Sequence, residues 1–194
     1  MGRTDWAALG LLCVFYGAYL LKMAAQRRRG IAANVLIRGQ KSRRAYWTGL
    51  ALMTVNYCAC AAQFLSCFWR GRLGPLAVPL PLRLLGLALM AAGDGLFIAA
   101  ILTMKDSWRA GVDESQRTEL VTGGLYRRSR NPAFVGFDLL YLGSALAVGN
   151  WVLLAAVCAA VVLIHLQILE EEKHLEKMFG QPYLAYRKEV GRYL

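Results

Sequence analysis

The chain has 194 residues and is 57% hydrophobic, with a mean hydropathy of +0.39, well above soluble-domain composition. Its net charge of +11 would suggest nucleic acid in a soluble protein. Here the basic residues cluster in loops between apolar runs, so anionic lipid headgroups are the better partner and nucleic acid is not expected.

In chain order, Trp6 to Leu21 carries no charge and ends at Lys22 and Arg27-Arg28-Arg29, with no small-residue cleavage site, so it reads as a mature helix rather than a signal peptide. Ala45 to Trp69 is also uncharged. Pro75, Pro79 and Pro81 mark an irregular loop, since proline is tolerated at a helix start but not inside. Leu84 to Met104 is interrupted only by Asp94. The 31-residue run from Leu139 to Leu169 is too long for one crossing and breaks at Gly149-Asn150, giving two helices and a tight turn. At about 1.5 Å rise per residue and about 20 residues per crossing, the runs predict an all-α integral membrane protein with five transmembrane helices. These lie near 5–24, 45–69, 82–104, 132–149 and 151–169.

Segments 22–44, 105–131 and the region after Leu169 hold 19 Lys/Arg, against 4 in the alternate loops. The positive-inside rule then places the N-terminus outside and the C-terminus in the cytosol. No repeat or linker divides residues 1–194, which read as one domain. Cys13, Cys58, Cys60, Cys67 and Cys158 fall inside predicted helices, where Cys behaves as a small apolar residue, so no disulfide and no metal site is expected.

Two cytosolic segments carry the recognisable chemistry. Glu119-Leu-Val-Thr-Gly-Gly124-Leu-Tyr126-Arg-Arg-Ser-Arg130-Asn-Pro132 is a glycine-rich loop running into a helix, with Asn131 at the N-cap and Pro132 at the first helical position. Its free amides and positive dipole end suit a carboxylate or phosphate; the alternative is an ordinary capped helix flanked by topogenic arginines. The second block is Glu171-Glu172-x-x-Leu175-x-x-x-Phe179-Gly180-x-x-Tyr183-x-x-Tyr186-Arg187. Its carboxylates can accept from ribose hydroxyls or offset a sulfonium; the alternatives are a solvated helix and an interfacial aromatic anchor.

In order and spacing, the two blocks resemble the C-terminal half of the isoprenylcysteine carboxyl methyltransferases and their relatives, the phospholipid N-methyltransferases. The resemblance covers about 105–194, including Ser107-Trp108-Arg109-x-Gly111. A weaker echo lies in Gln26-Arg-x-x-Gly30 and Arg38-Gly-x-Lys41. It implies an integral membrane methyltransferase using S-adenosyl-L-methionine, in a cytosolic pocket formed by the 105–131 loop and the C-terminal helices. The cofactor would meet Glu119, Leu120, Val121, Gly124, Tyr126, Arg130, Asn131, Pro132, Glu171, Glu172, Tyr183, Tyr186 and Arg187. Arg130, Gln167 and Glu172 would serve the reaction. The acceptor implied is an isoprenylcysteine-like carboxylate or other lipidic substrate entering from the bilayer, with a phospholipid amine as the alternative. A further alternative is an NADPH-dependent membrane reductase of the steroid-reductase type, with Arg127, Arg128 and Arg130 on a 2′-phosphate. The compartment would be the plasma membrane in a prokaryote and the endoplasmic reticulum in a eukaryote.

Two positions depart from the family pattern. Its Arg-His-Pro is Arg130-Asn131-Pro132 here, and Asn cannot titrate. An Arg four residues before the Glu pair, which the resemblance links to the substrate carboxylate, is Gln167. Among polar residues inside the apolar runs, Asp94 should face the bundle interior. Asp138 is expected to partner an interfacial arginine. His165 is expected to make a helix–helix hydrogen bond or, with Glu172 two turns along the same face, to deprotonate an amine.

Overall fold

A computed structural model describes residues 2–31, 43–108 and 119–193. The echo at Arg38 and Lys41, and the positions Arg109 and Gly111, lie outside the described residues. The described chain is helical: α1 (Arg3–Arg28), α2 (Arg43–Trp69), α3 (Leu80–Met104), α4 (Pro132–Val148), α5 (Trp151–Phe179) and α6 (Gln181–Glu189). Four helices are long and apolar enough to cross a membrane, and α4 is a shorter apolar helix of 17 residues. The chain is thus an all-α integral membrane protein. The last long helix continues without a break beyond 169, where the predicted crossing ends, and carries the glutamates before stopping at Gly180.

Proline and glycine set the boundaries as the sequence suggests. α4 starts at Pro132 and ends at Gly149, whose φ of +65° is left-handed. A side chain there would meet Val78 Cγ2 at 2.6 Å, so glycine is needed for both backbone and space. Asn150 then caps α5, accepting from Leu153 N at 2.8 Å. The proline loop, expected to be irregular, lies along this turn: Trp151 N donates to Gly74 O, Leu76 N donates to Gly149 O, and Pro75 bridges Asn150. Arg83 locks the same end by pairing with Asp5 of α1 and donating to Ala147 O of α4 at 2.7 Å.

The closest helix pair is α3 with α4. Gly86 and Gly93 face Gly143 and Gly136; an added Cβ at Gly86 or Gly143 would lie 2.6 Å from a backbone oxygen of the other helix. In lipid, where apolar burial gives no net drive, such close backbone approach is what joins helices. α1 covers the pair with an aromatic cluster: Phe15 stacks on Phe97 at 4.5 Å and meets Phe137 edge-on at 4.8 Å. Some polar side chains pair across the bundle. Tyr16 donates to Gln63, Gln63 to Ser144, and Tyr141 to Asn56.

The opposite end carries the functional segments. Gln26 of α1 donates to Trp108 O at 2.8 Å and Lys22 to Lys105 O at 2.7 Å, so the turn after α3 is pinned to α1. Arg44 of α2 pairs with Glu170 of α5 at 3.4 Å. Here the start of α4, the last turns of α5 and all of α6 come together.

Candidate functional site

The site is built around one carboxylate. Glu172 lies on the buried face of α5, 5% exposed. Its Oε1 accepts from Arg130 Nη2 at 2.9 Å and from Asn131 Nδ2 at 3.2 Å. Its Oε2 accepts from Arg192 Nη2 at 2.9 Å and Nε at 3.1 Å. Burial alone raises the carboxyl's pKa, but the hydrogen bonds and charges of Arg192 and Arg130 outweigh it, and the net shift is downward from 4.5. Glu172 is therefore held ionised, with both oxygens engaged.

Arg130 has a second task. Its Nη1 donates to the carbonyls of Val190 at 2.6 Å and Arg187 at 3.1 Å, while its own amide donates to Gly191 O at 2.9 Å. Asn131 stands at the N-cap as expected, yet its side chain makes no capping bond. The amide turns instead to Glu172 and to Arg192 O, the latter at 3.1 Å. Its backbone N–H is taken by Ser129 Oγ at 3.1 Å. The departure from histidine at this position thus supplies a neutral donor where a fixed carboxylate and a carbonyl both need one.

The remaining predicted residues gather in part. Tyr183 and Tyr186 pack with Val190 against Leu120, Leu175 and Phe179. Tyr186 donates to Tyr126 O at 2.6 Å, tying α6 to the glycine-rich segment. Gly124, at φ +60°, sits where a Cβ would meet Thr103 Cγ2 at 3.1 Å. Val121 is half-buried beside the buried Tyr126, and Pro132 is buried at the start of α4. Glu119 is exposed at the margin. Arg187 turns outward to Glu176 at 3.1 Å, contributing only its carbonyl to the site. Gln167, 4% exposed, donates to Glu171 Oε1 at 3.0 Å.

The Tyr183 hydroxyl is fully buried yet has no hydrogen-bond partner among the described residues. Burial first, then Glu172, raises its pKa to about 12, so it remains a neutral donor. Burial likewise holds Tyr186 at about 12. A buried hydroxyl without a partner is costly unless a ligand or water satisfies it. Next to the Glu172 knot, this buried donor can satisfy a hydroxyl-bearing polar ligand.

Sequence reasoning missed the strap that follows α6. Val190, Gly191, Arg192 and Tyr193 run between α4 and α5, with Arg192 on Glu172 and Tyr193 against His165. No spacing in the sequence marks a contact between residues 20 to 28 apart in an irregular segment. The expected helix–helix bond of His165 is replaced by this bond to Tyr193. Asp138 does not pair with an arginine: its Oδ1 is buried and unpartnered among the described residues, as are both oxygens of Asp94.

Comparison with known proteins agrees with this architecture. The family description "Phospholipid methyltransferase" matches residues 82–182, just over half of the chain. The protein-S-isoprenylcysteine O-methyltransferase of Schizosaccharomyces pombe is 38% identical over 74 residues, covering 37% of this chain and 30% of that protein. Protein-S-isoprenylcysteine O-methyltransferase A of Arabidopsis thaliana is 33% identical over 111 residues, or 55% of each chain. The chain spans about a third to a half of the length of these curated relatives. The solved eukaryotic intramembrane Ras methyltransferase, isoprenylcysteine carboxyl methyltransferase, superposes with a TM-score of 0.63 at 21% identity, over 96% of this chain and 64% of that one. That likeness is one of fold. By the extent of the family match, the chain belongs to the phospholipid methyltransferase family.

Proposed function

We propose that this chain is an integral membrane methyltransferase that uses S-adenosylmethionine and methylates an acceptor partitioned in the bilayer. The observation that carries the reading is the Tyr183 hydroxyl, buried and without a hydrogen-bond partner among the described residues, next to the Glu172 knot. Tyr183 and the half-buried Glu171 would hold the cofactor's hydroxyls and offset its positive charge, while Leu120 and Tyr126 would enclose its apolar parts. When bound, the cofactor supplies an electrophilic methyl group on sulfur. The work of the protein is then positioning and exclusion of water, because in-line displacement at such a methyl needs little acid–base help. Glu172 is a keystone in this reading: it holds Arg130, Asn131 and Arg192, and through them the strap, in register.

The names of the matched relatives make an isoprenylcysteine carboxylate the first acceptor to test. A phospholipid amine is the second, favoured by Gln167. Its amide is spent on Glu171 and brings no cation to a carboxylate. The reductase reading is weakened because Arg130 is committed to Glu172 and to the strap, away from a 2′-phosphate. We further read the basic end, with residues 105–131 and α6, as cytosolic.

The test is transfer from radiolabelled S-adenosylmethionine by protein in nanodiscs, with N-acetyl-farnesylcysteine and a phospholipid extract as separate acceptors. Base-labile, volatile counts on the first identify carboxyl methylation, and stable counts in the lipid identify N-methylation. Glu171→Ala and Tyr183→Phe are expected to weaken donor binding about tenfold or more, the scale of one or two lost hydrogen bonds. If calorimetry finds no donor binding to the wild-type protein, the reading is wrong.

A further inference from the structure

An ionised carboxylate offers about four acceptor sites, and the bonds made by Glu172 fill them all. Its Oε1 accepts from Arg130 Nε at 3.2 Å and Nη2 at 2.9 Å, from Asn131 Nδ2 at 3.2 Å and from Arg192 Nε at 3.2 Å. Its Oε2 accepts from Arg192 alone, through Nε at 3.1 Å and Nη2 at 2.9 Å. A further donor or cation can therefore reach this carboxylate only by replacing one of these groups. Two guanidinium groups also face one carboxylate, so one positive charge exceeds what neutralises Glu172.

The two arginines are not equivalent. The Arg130 side chain is 8% exposed, and its Nη1 also holds the carbonyls of Val190 and Arg187, so its withdrawal would undo the strap and the end of α6. The Arg192 side chain is 33% exposed, and its guanidinium bonds Glu172 and no other described residue. The backbone around Arg192 is held independently of that guanidinium. Asn131 donates to Arg192 O, the Arg130 amide to Gly191 O and the Arg130 side chain to Val190 O. Arg192 can thus swing its charge into water without moving the strap, and a partly exposed ion pair opposes this only weakly. A second observation points to a ligand at the same place. The Tyr183 hydroxyl is buried with no hydrogen-bond partner among the described residues, and Tyr183 packs in one cluster with Val190, whose carbonyl Arg130 holds.

We propose that Arg192 is a displaceable counter-ion: the Oε2 side of Glu172 is the seat for a positively charged group of the methyl donor, and Arg192 covers that seat until the donor's cation takes it. This deepens the methyltransferase reading above and rests on it. The exchange conserves charge. Glu172 passes from a guanidinium to the donor's sulfonium or ammonium, and Arg192 turns to water on its exposed side. Arg130 and Asn131 keep Oε1, so the carboxylate stays ionised and in place throughout. The protein therefore competes with its own ligand. Donor affinity is reduced by the fraction of molecules in which Arg192 covers the seat, whereas an uncharged nucleoside, which has no use for the seat, escapes that reduction.

The experiment is calorimetric binding by the whole protein in nanodiscs, wild type against Arg192→Ala, with three probes. S-adenosylmethionine carries a sulfonium and an ammonium, S-adenosylhomocysteine only the ammonium, and methylthioadenosine neither. Arg192→Ala is expected to bind S-adenosylmethionine about fivefold to tenfold more tightly, with methylthioadenosine within about twofold of wild type. S-adenosylhomocysteine tightened alike assigns the seat to the ammonium; S-adenosylhomocysteine left unchanged assigns it to the sulfonium. Weaker or unchanged binding of S-adenosylmethionine, or an equal change for all three probes, overturns the displacement and leaves the methyltransferase reading standing. No binding of S-adenosylmethionine by the wild type overturns both. A second measurement needs no variant and so does not depend on Arg192→Ala folding. Modification of the wild type by phenylglyoxal, read by mass spectrometry, should become faster at Arg192 when S-adenosylmethionine is added and not when methylthioadenosine is, with Arg130 protected throughout. Slower or unchanged modification of Arg192 with S-adenosylmethionine bound overturns the proposal.

Discussion

Glu172 holds the most densely bonded carboxylate described at the site. It is a buried carboxylate whose charge is offset by two guanidinium groups and an amide donated from two places in the sequence, Arg130-Asn131 and Arg192. Breaking a buried ion pair costs more than the pair contributes, because the survivor stays charged and desolvated. Arg130→Ala is accordingly expected to lower stability by about 3 kcal/mol, near the low end for such pairs because Arg192 remains. Thermal melting in detergent or nanodiscs measures this, and a loss under about 1 kcal/mol would show that the knot is dispensable. The pH dependence has a definite sign. Folding lowers the pKa of Glu172, so its stabilisation is complete above the ordinary value of 4.5 and is lost as pH falls through the lower folded value. Glu172→Gln should therefore melt earlier than wild type at pH 7, with the gap closing as the pH drops below about 4. A gap that stays constant to pH 3 would assign the effect to shape rather than charge. At this scale the sequence was partly legible. The Glu171-Glu172 pair and Arg130 stand out by type and spacing. That Arg192 joins them, and that Asn131 gives up its capping role to do so, depends on where an irregular strap crosses α4.

Helices were the most legible part, since each apolar run, proline start and glycine stop acts within a few residues. The predicted breaks at Pro132 and Gly149-Asn150 are the observed ones. The contact that positions α4 was not foreseen. Gly86 and Gly93 sit seven residues apart, as do Gly136 and Gly143, so each pair falls on one helix face about two turns apart. A side chain at Gly143 would need room that Gly86 O, at 2.6 Å, and Met90 do not leave. Gly143→Val should force the helices apart at a cost of about 1–3 kcal/mol or more, since the obstacle is backbone. Gly95→Ala, on the facing helix α3 but in open space, should be neutral or slightly stabilising. Equal losses in the two variants would mean that helix propensity, rather than close packing, governs this interface. The shift of α4 should also weaken the site, because Arg130 and Asn131 lead directly into its first turn.

For the whole molecule, the two ends of the bundle are chemically distinct. One is closed by Asp5, Arg83, Arg70 and the proline loop; the other bears the basic segments and the Glu172 knot. The reading that the second end is cytosolic predicts opposite labelling of single cysteines introduced into an otherwise cysteine-free chain. Ser107→Cys should react with an impermeant maleimide only from the cytosolic face, and Gly71→Cys only from the other. Reaction of both from one side would reverse or refute the topology. Composition and the order of apolar runs determined by themselves that this is a helical membrane protein and where α4 and α5 begin, and the two motif blocks determined which family it resembles. Those features arise from short-range causes: hydrophobic length, backbone restriction by proline and glycine, and local spacing of motifs. Only the tertiary structure decided that Glu172 is saturated by arginines, that the glycines of α3 and α4 touch, and that Tyr193 meets His165. These contacts join residues tens of positions apart, and their geometry is fixed by helix packing and by the path of one irregular strap, which no local pattern in the chain encodes.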